Sequence, residues 1–400
     1  MSGSKPKILI AVDWYLPGFK GGGPIRSIAN LVAALSEDFD FFILTSDRDH
    51  GDKEAYPGIE CDNWVQGNHG EQIWYCSPDQ KSYRHLRSIL ASVNYDLLYL
   101  NSMFSMYFTI FPMWISRATF PDKPVLLAPR GMLHAGALAL KPAKKKAFLR
   151  LLRLLGLPKQ LFFHATDEQE VMDIQSWMGA VDHVYTAPNL GPSALFAPIS
   201  LHKETGKLRM VYLSRLSAKK GLDFLLERLK TQTSAIELLV AGPDEEKGYW
   251  EQCSRLVQQL PTNIQVHKME AVPPPEAIQL IQSAHLFVLP TKGENFGHAI
   301  LEAMAAGRPV LISDQTPWKD LEATYAGKVI PLEDAKAWQD CIREFAEMDH
   351  STYQHWEVGA RRFAMEHIQS NPGLAGNRHL FQTVLLAADA ARAKSEGKQL

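Results

Sequence analysis

Apolar residues in this chain fall into short runs of strand length, each followed by a stretch with helical spacing, and the alternation repeats along most of the chain. The first run, 7–12, is continuous and leads through Asp13 into a loop ending at Gly21, Gly22, Gly23 and Pro24. A helix is predicted from Pro24, because proline suits a first helical turn and Ile25, Ile28, Ala29, Val32 and Leu35 share one face. Further strand-length runs fall at 41–45, 73–76, 97–101, 125–128, 161–164 and 183–186. After a Pro-, Gly- and Asn-rich connection at 187–198, a second set falls at 210–213, 238–241, 264–266, 286–289, 310–312 and 328–330. Repeated strand–helix alternation predicts parallel sheets covered on both faces. From Trp338 onward the pattern is helical, with a last helix at 377–391 and a polar tail, AKSEGKQL, expected to be mobile.

Composition narrows the class without naming a function. At 400 residues the chain exceeds one ordinary core and fits two domains. Its 46% hydrophobic and 22% charged content is that of a soluble globular protein, and a formal net charge of −2 gives no global argument for nucleic acid. Cys61, Cys76, Cys253 and Cys341 match no metal or disulfide spacing, so a reduced, cytoplasmic compartment is expected. The apolar run after the basic N-terminus has strand length and no cleavage site behind it, so it reads as a first strand and not a signal peptide. The apolar stretch 103–114 is broken by Pro112 and stops well short of the ~20 residues a membrane span needs.

Candidate chemistry centres on 291–312, TKGENFGHAILEAMAAGRPVLI. It reads as a loop feeding a short helix between two buried strands, which places the loop at the carboxyl edge of a parallel sheet, where open α/β sheets bind ligands. Gly297 lets the backbone approach a ligand, and the unpaired amides of the first helical turn suit an anion such as a diphosphate. Glu294 and Glu302 lie before and within the helix; a loop carboxylate and a solvated helix residue are the alternative reading of the two. Arg215 and Lys220, in the loop LSRLSAKKG, fall on the same sheet edge with Lys219 adjacent, and a guanidinium with an ammonium there can stabilise a departing diphosphate. The glycine turn at 21–23 is either a phosphate cradle or a flexible turn.

Taken together, that glycine loop, YLSRLSAKKGLDFLL, LLVAGPDEE and ENFGHAILEAMAAGRPVL resemble the retaining glycosyltransferase family 4 of the GT-B fold, the type that builds lipopolysaccharide, capsule and exopolysaccharide. The resemblance implies an α/β protein of two Rossmann-like domains facing across a deep interdomain cleft, with a C-terminal helix returning toward the first domain. The expected divisions are an acceptor-side domain at 1–190, a linker at 191–206, a nucleotide-sugar donor domain at 207–372, and a C-terminal helix and tail at 373–400. It further implies that Glu302 holds the donor ribose and that Arg215 with Lys220 holds the diphosphate. Glu294, with the amides of Asn295, Phe296 and Gly297, would contact the sugar and distal phosphate, and Gly22 and Gly23 would close over the diphosphate. Transfer would retain anomeric configuration with no metal and no cofactor, the nucleotide sugar being a substrate. Where the family often has an acceptor-side His, this chain has Arg130, with His134 one turn later; either is a candidate, and a structural role for Arg130 is the alternative. The residue after Asn189, usually Gly in the family, is Leu190 here.

One further stretch bears on partners. From Lys123 to Thr166 there is no acidic residue, while Lys141, Lys144, Lys145, Lys146, Arg150, Arg153 and Lys159 are basic. A helix at 142–155 would carry Phe148, Leu151, Leu152 and Leu155 on one stripe and Lys146, Arg150 and Arg153 on another. Such a helix can lie on an anionic membrane surface through 141–159, or it can be a core helix with a solvated basic face. The expected function is transfer of a sugar to a growing lipid-linked or cell-surface glycan, on the inner face of the plasma membrane. The alternatives are a noncatalytic nucleotide-sugar-binding subunit of a glycan-assembly complex and a GT-B-fold nucleotide-sugar epimerase.

Overall fold

The computed structural model of the chain describes residues 4–138, 142–192, 195–197 and 199–396. It divides into two compact units, one of 1–190 with 371–400 and the other of 191–370. In the first, β1 (Lys7–Val12), β2 (Asp40–Ser46), β3 (Trp64–Gln66), β4 (Gln72–Cys76), β5 (Leu97–Asn101), β6 (Val125–Ala128), β7 (Phe162–Ala165) and β8 (Val184–Thr186) form one sheet in the order β3-β4-β2-β1-β5-β6-β7-β8. The pairs are parallel except β3 with β4. β1 lies in the middle, and Ile8 to Val12 are at most 2% exposed, as an unbroken apolar run covered on both faces requires.

The second unit holds β9 (Lys207–Leu213), β10 (Ala235–Ala241), β11 (Ile264–Met269), β12 (Leu286–Leu289), β13 (Val310–Ser313) and β14 (Gly327–Ile330), in the order β11-β10-β9-β12-β13-β14. All its pairings are parallel. From β9 the chain builds outward to β10 and β11, then returns to start β12 on the other flank. This is the doubly wound arrangement, with the reversal of strand order between β9 and β12.

Two features depart from the sequence pattern. β3 has no predicted counterpart: it is a three-residue antiparallel edge strand without a buried residue, too short to show alternation. The last helix runs Pro372–Glu396, so the start of the expected tail is helical and 397–400 lie outside the described residues. Among the described residues no helix is long and apolar enough to cross a membrane.

Arg308 ties the second unit together. It follows the Gly307 turn that ends the His298–Ala305 helix, and it is fully buried. One guanidinium nitrogen pairs with the Glu357 carboxylate and donates to Tyr353 Oη at 3.4 Å; another donates to the Ile199 and Gln282 carbonyls, the latter at 3.0 Å. One side chain thus joins the segment after residue 191 to the helices Pro274–Ser283 and His350–Ser370. Burial raises the pKa of Glu357, and the Arg308 charge opposes that. Arg308→Met should therefore cost about 3 kcal/mol in urea unfolding, because it leaves a largely covered carboxylate and two carbonyls without their donor.

In the first unit a buried relay holds the carboxyl end of the sheet. His164 Nε2 lies 2.8 Å from the Ala187 carbonyl, which can only accept, so this nitrogen carries the proton and Nδ1 accepts from Tyr99 Oη at 2.6 Å. Tyr99 Oη in turn accepts from Arg130 Nη2 at 2.7 Å. Burial, then the Arg130 charge, lowers the His164 pKa from 6.5 to about 3. The unfolded imidazole takes up its proton first as pH falls, so stability is whole above 6.5 and declines toward about 3. His164→Gln keeps a donor and an acceptor without titrating. In acid unfolding the wild-type protein should lose on the order of 4 kcal/mol across that window more than the variant.

Candidate functional site

The reversal point of the second sheet is bordered by the loops after β9 and β12, which the sequence fills with Arg215, Lys219, Lys220 and Glu294. The two loops are bonded to each other: the Lys292 amide donates to the Lys219 carbonyl at 2.7 Å, and Thr291 Oγ1 donates to it at 3.4 Å. Gly221 makes this approach possible, since it sits at φ 75° and a Cβ there would stand 2.2 Å from the Pro290 carbonyl oxygen. Across this junction the Lys220 ammonium pairs with the Glu294 carboxylate, both largely shielded at 9% and 17% side-chain exposure. Lys219 lies alongside, its pKa lowered by burial and then by the Lys220 charge. Arg215 pairs instead with Glu245 in the loop after β10, with each side chain about one-third exposed. The structure thus brings Lys220 and Glu294 into contact, while Arg215, on the same loop as Lys220, turns to Glu245 on the loop after β10.

The Glu294 amide donates to the Gln315 carbonyl at 3.0 Å. By contrast, the amides of Asn295, Phe296 and Gly297 have no acceptor among the described residues. Gly297, left-handed at φ 78°, is the N-cap of the His298–Ala305 helix, so these amides continue into the helix N-terminus, where partial positive charge collects. Phe296 is buried at 8% exposure, and Glu302 at 6% is equally covered, so Glu302 is not a solvated helix residue. Cationic side chains, open amides and a helix N-terminus meet at the carboxyl ends of β9 and β12, an arrangement able to face an anion. Among the described residues no group of three or more His, Cys, Asp or Glu could hold a metal ion.

In the first unit the strand order reverses around β1, and Asp13 follows it directly. Asp13 Oδ1 accepts from Ser105 Oγ at 2.6 Å, and burial raises its pKa against the Ser105 and Ser102 hydroxyls, which lower it. The glycine turn is pinned: buried Asp49 accepts from the Phe19 and Lys20 amides at 2.7 and 3.0 Å. Gly22 at φ 71° caps the Gly23–Leu35 helix. Nothing in the sequence marks Asp49 for this part, because it is distant in the chain and sits in no motif.

Arg130 belongs to an internal network. Besides Tyr99 it donates to Asn101 Oδ1 from Nε and Nη2 at 3.0 and 2.9 Å, and to Asn189 Oδ1 at 2.5 Å. It adopts φ 55°, followed by Gly131 at 73°, whose amide donates to buried Glu170 at 2.6 Å. Two residues of one sharp turn are thereby fixed from beneath, and His134 follows exposed at its end.

The basic helix spans Pro142–Leu154, and Lys141 lies outside the described residues. Its buried side is Leu149 and Leu152 with Phe148 partly covered, rotated from the predicted stripe, while Leu151, Leu154 and Leu155 are 50%, 84% and 44% exposed. The rotation follows from Phe148 and Lys145 packing on Phe104, with ring centroids 6.0 Å apart and the ammonium 5.2 Å over the ring.

Comparison with known proteins bears on the fold and on the second unit. Residues 197–363 match the family described as glycosyl transferases group 1. A 106-residue stretch is 31% identical to an uncharacterized glycosyltransferase of Methanocaldococcus jannaschii, covering 26% of each chain, so the match spans about a quarter of that relative. The whole fold is similar to sucrose-phosphate synthase from Thermosynechococcus elongatus, with TM-score 0.66, 17% identity, and 98% of this chain and 100% of that one covered. It is also similar to Anabaena HepE solved with UDP and glucose, with TM-score 0.65, 16% identity and 96% and 100% covered. A third likeness is to WaaG, a glycosyltransferase involved in lipopolysaccharide biosynthesis, with TM-score 0.62, 16% identity and 92% and 98% covered. The chain therefore has the GT-B fold, with a glycosyl transferases group 1 segment across its second unit, and together these support a GT-B glycosyltransferase.

Proposed function

We propose that this protein is a retaining glycosyltransferase that moves a sugar from a nucleoside-diphosphate donor to a glycan acceptor. The observation that carries the reading is the Lys220–Glu294 pair at the strand-order reversal, beside three amides without an acceptor, all inside the segment that matches the glycosyltransferase family. The donor's diphosphate competes with Glu294 for Lys220, draws on Arg215, and lies against the amides of Asn295, Phe296 and Gly297. Glu302 anchors the ribose, and the freed Glu294 carboxylate accepts from sugar hydroxyls. The bond from the anomeric carbon to the phosphate oxygen breaks, and the acceptor oxygen bonds to that carbon on the same face. The acceptor's proton passes to the departing phosphate, whose growing charge the cations and amides stabilise without a metal. HepE was solved with UDP and glucose, and WaaG acts in lipopolysaccharide biosynthesis; both fit this donor and acceptor class.

A second reading, a nucleotide-sugar-binding subunit without activity, draws on Arg130, whose guanidinium is taken up by Tyr99, Asn101 and Asn189. Sugar transfer by the isolated protein eliminates it. For the first reading, Lys220→Ala and Glu294→Gln should each lower kcat/KM by about 100-fold, the scale of losing one transition-state donor, with the α or β configuration of the donor kept in the residual product by NMR. Transfer by either variant at the wild-type rate contradicts the assignment.

The acceptor is proposed to be lipid-linked, and the enzyme to work at the cytoplasmic face of the membrane. Exposed Leu151, Leu154 and Leu155 stand among exposed Lys144, Lys146, Arg150, Arg153 and Lys159, an apolar edge within a basic field suited to anionic lipid. Each basic residue near such a surface contributes ~1 kcal/mol. Vesicles containing anionic lipid should therefore carry the protein in flotation, and Leu154→Asp should reduce the floated fraction several-fold. Equal recovery with neutral and anionic vesicles sinks the membrane assignment.

A further inference from the structure

The loop that presents the open amides is backed by a second loop, the one leaving β13, which no motif in the sequence singles out. Gln315 accepts the Glu294 amide at 3.0 Å, and Ser313 Oγ donates to the Thr291 carbonyl. The third tie comes from Trp318, whose indole Nε1–H donates to the Phe296 carbonyl at 2.5 Å. Trp318 is 5% exposed, and its ring is held edge-on by Phe296 at 5.5 Å and His367 at 4.9 Å, with Phe363 at 6.2 Å. His367 and Phe363 belong to the helix His350–Ser370, so Trp318 packs on an element outside the loop it bonds.

A trans peptide carries its C=O and its following N–H on opposite edges of one plane. Fixing the Phe296 carbonyl on the Trp318 side therefore turns the Gly297 N–H to the opposite side, away from Trp318. We propose that Trp318 is a positioning residue of this site, orienting the Phe296–Gly297 peptide so that the Gly297 amide donates to the distal phosphate of a nucleoside diphosphate. The proposal rests on the donor-site reading above. Gly297 fits it: the residue is left-handed, and a Cβ there would lie 3.4 Å from the indole nitrogen and 2.7 Å from Ile300 Cδ1, so the peptide sits tight against its support.

The test uses the full chain with Trp318→Phe, which keeps an aromatic ring and removes the N–H. By calorimetry the variant should bind a nucleoside diphosphate about tenfold more weakly than wild type, while the matching monophosphate, which has no distal phosphate, binds within twofold. In steady state KM for the sugar donor should rise, and the thermal midpoint should fall only by the few degrees that one lost buried hydrogen bond costs. Independently of any variant, the wild-type Gly297 amide resonance should shift on adding the diphosphate and stay in place with the monophosphate. An unmoved Gly297 resonance, or equal diphosphate affinity in W318F and wild type, overturns the role of Trp318 while leaving the donor site standing. Failure of wild type to bind any nucleoside diphosphate overturns both.

Discussion

The close approach of the loops after β9 and β12 is the constraint on which the rest of the site depends. Two parallel strands side by side bring their carboxyl ends together, but ordinary side chains would keep the loops apart. Gly221 removes the obstacle, and the Lys292–Lys219 backbone hydrogen bond closes the gap. Only then do an ammonium from one loop and a carboxylate from the other meet at Lys220–Glu294. The pair is shielded enough to matter energetically and exposed enough for a ligand to replace one partner. The same packing leaves the next amides, from Asn295 on, without an acceptor among the described residues, so cation and open amides share one strand edge.

Support for that edge comes from polar groups on separate segments, some of them buried side chains and one a backbone carbonyl. Arg308, just past the end of the His298–Ala305 helix, bonds to the helix Pro274–Ser283, and Trp318 and the Gln315 carbonyl fix the loop before His298. The first unit is built on the same principle: Asp49 gathers two amides of the glycine turn, Glu170 holds the turn at Gly131, and Arg130 spans Tyr99, Asn101 and Asn189. Buried groups of this kind cost too much to leave unpaired, so each fixes a geometry and not merely a contact. The carboxyl ends of both sheets are therefore preorganised around their strand-order reversals.

Much of this was legible in the residues. Continuous apolar runs gave the parallel strands nearly to the residue, as at Leu97–Asn101 and Leu286–Leu289, because a strand buried on both faces leaves no other pattern. The site loop was legible because Gly297, Glu294 and the following helix are close in sequence. What stayed hidden acts at long range or on a partial face. Asp49 and Trp318 reach their loops from separate segments, β3 is too short to alternate, and the basic helix has leucines on two sides, so periodicity left its rotation open. Glu302 was ambiguous for a like reason: spacing put it off the apolar face, and only packing shows that it is buried.

On the proposed function, the β9–β12 edge binds a nucleoside diphosphate. Thermal unfolding with matched nucleosides, monophosphates, diphosphates and diphosphate sugars tests it most directly. Stabilisation should appear with the diphosphate and its sugars, reaching about 2.7 kcal/mol at ~100 times Kd, and be small for the nucleoside alone. Unfolding that is unmoved by every diphosphate and diphosphate sugar would contradict it.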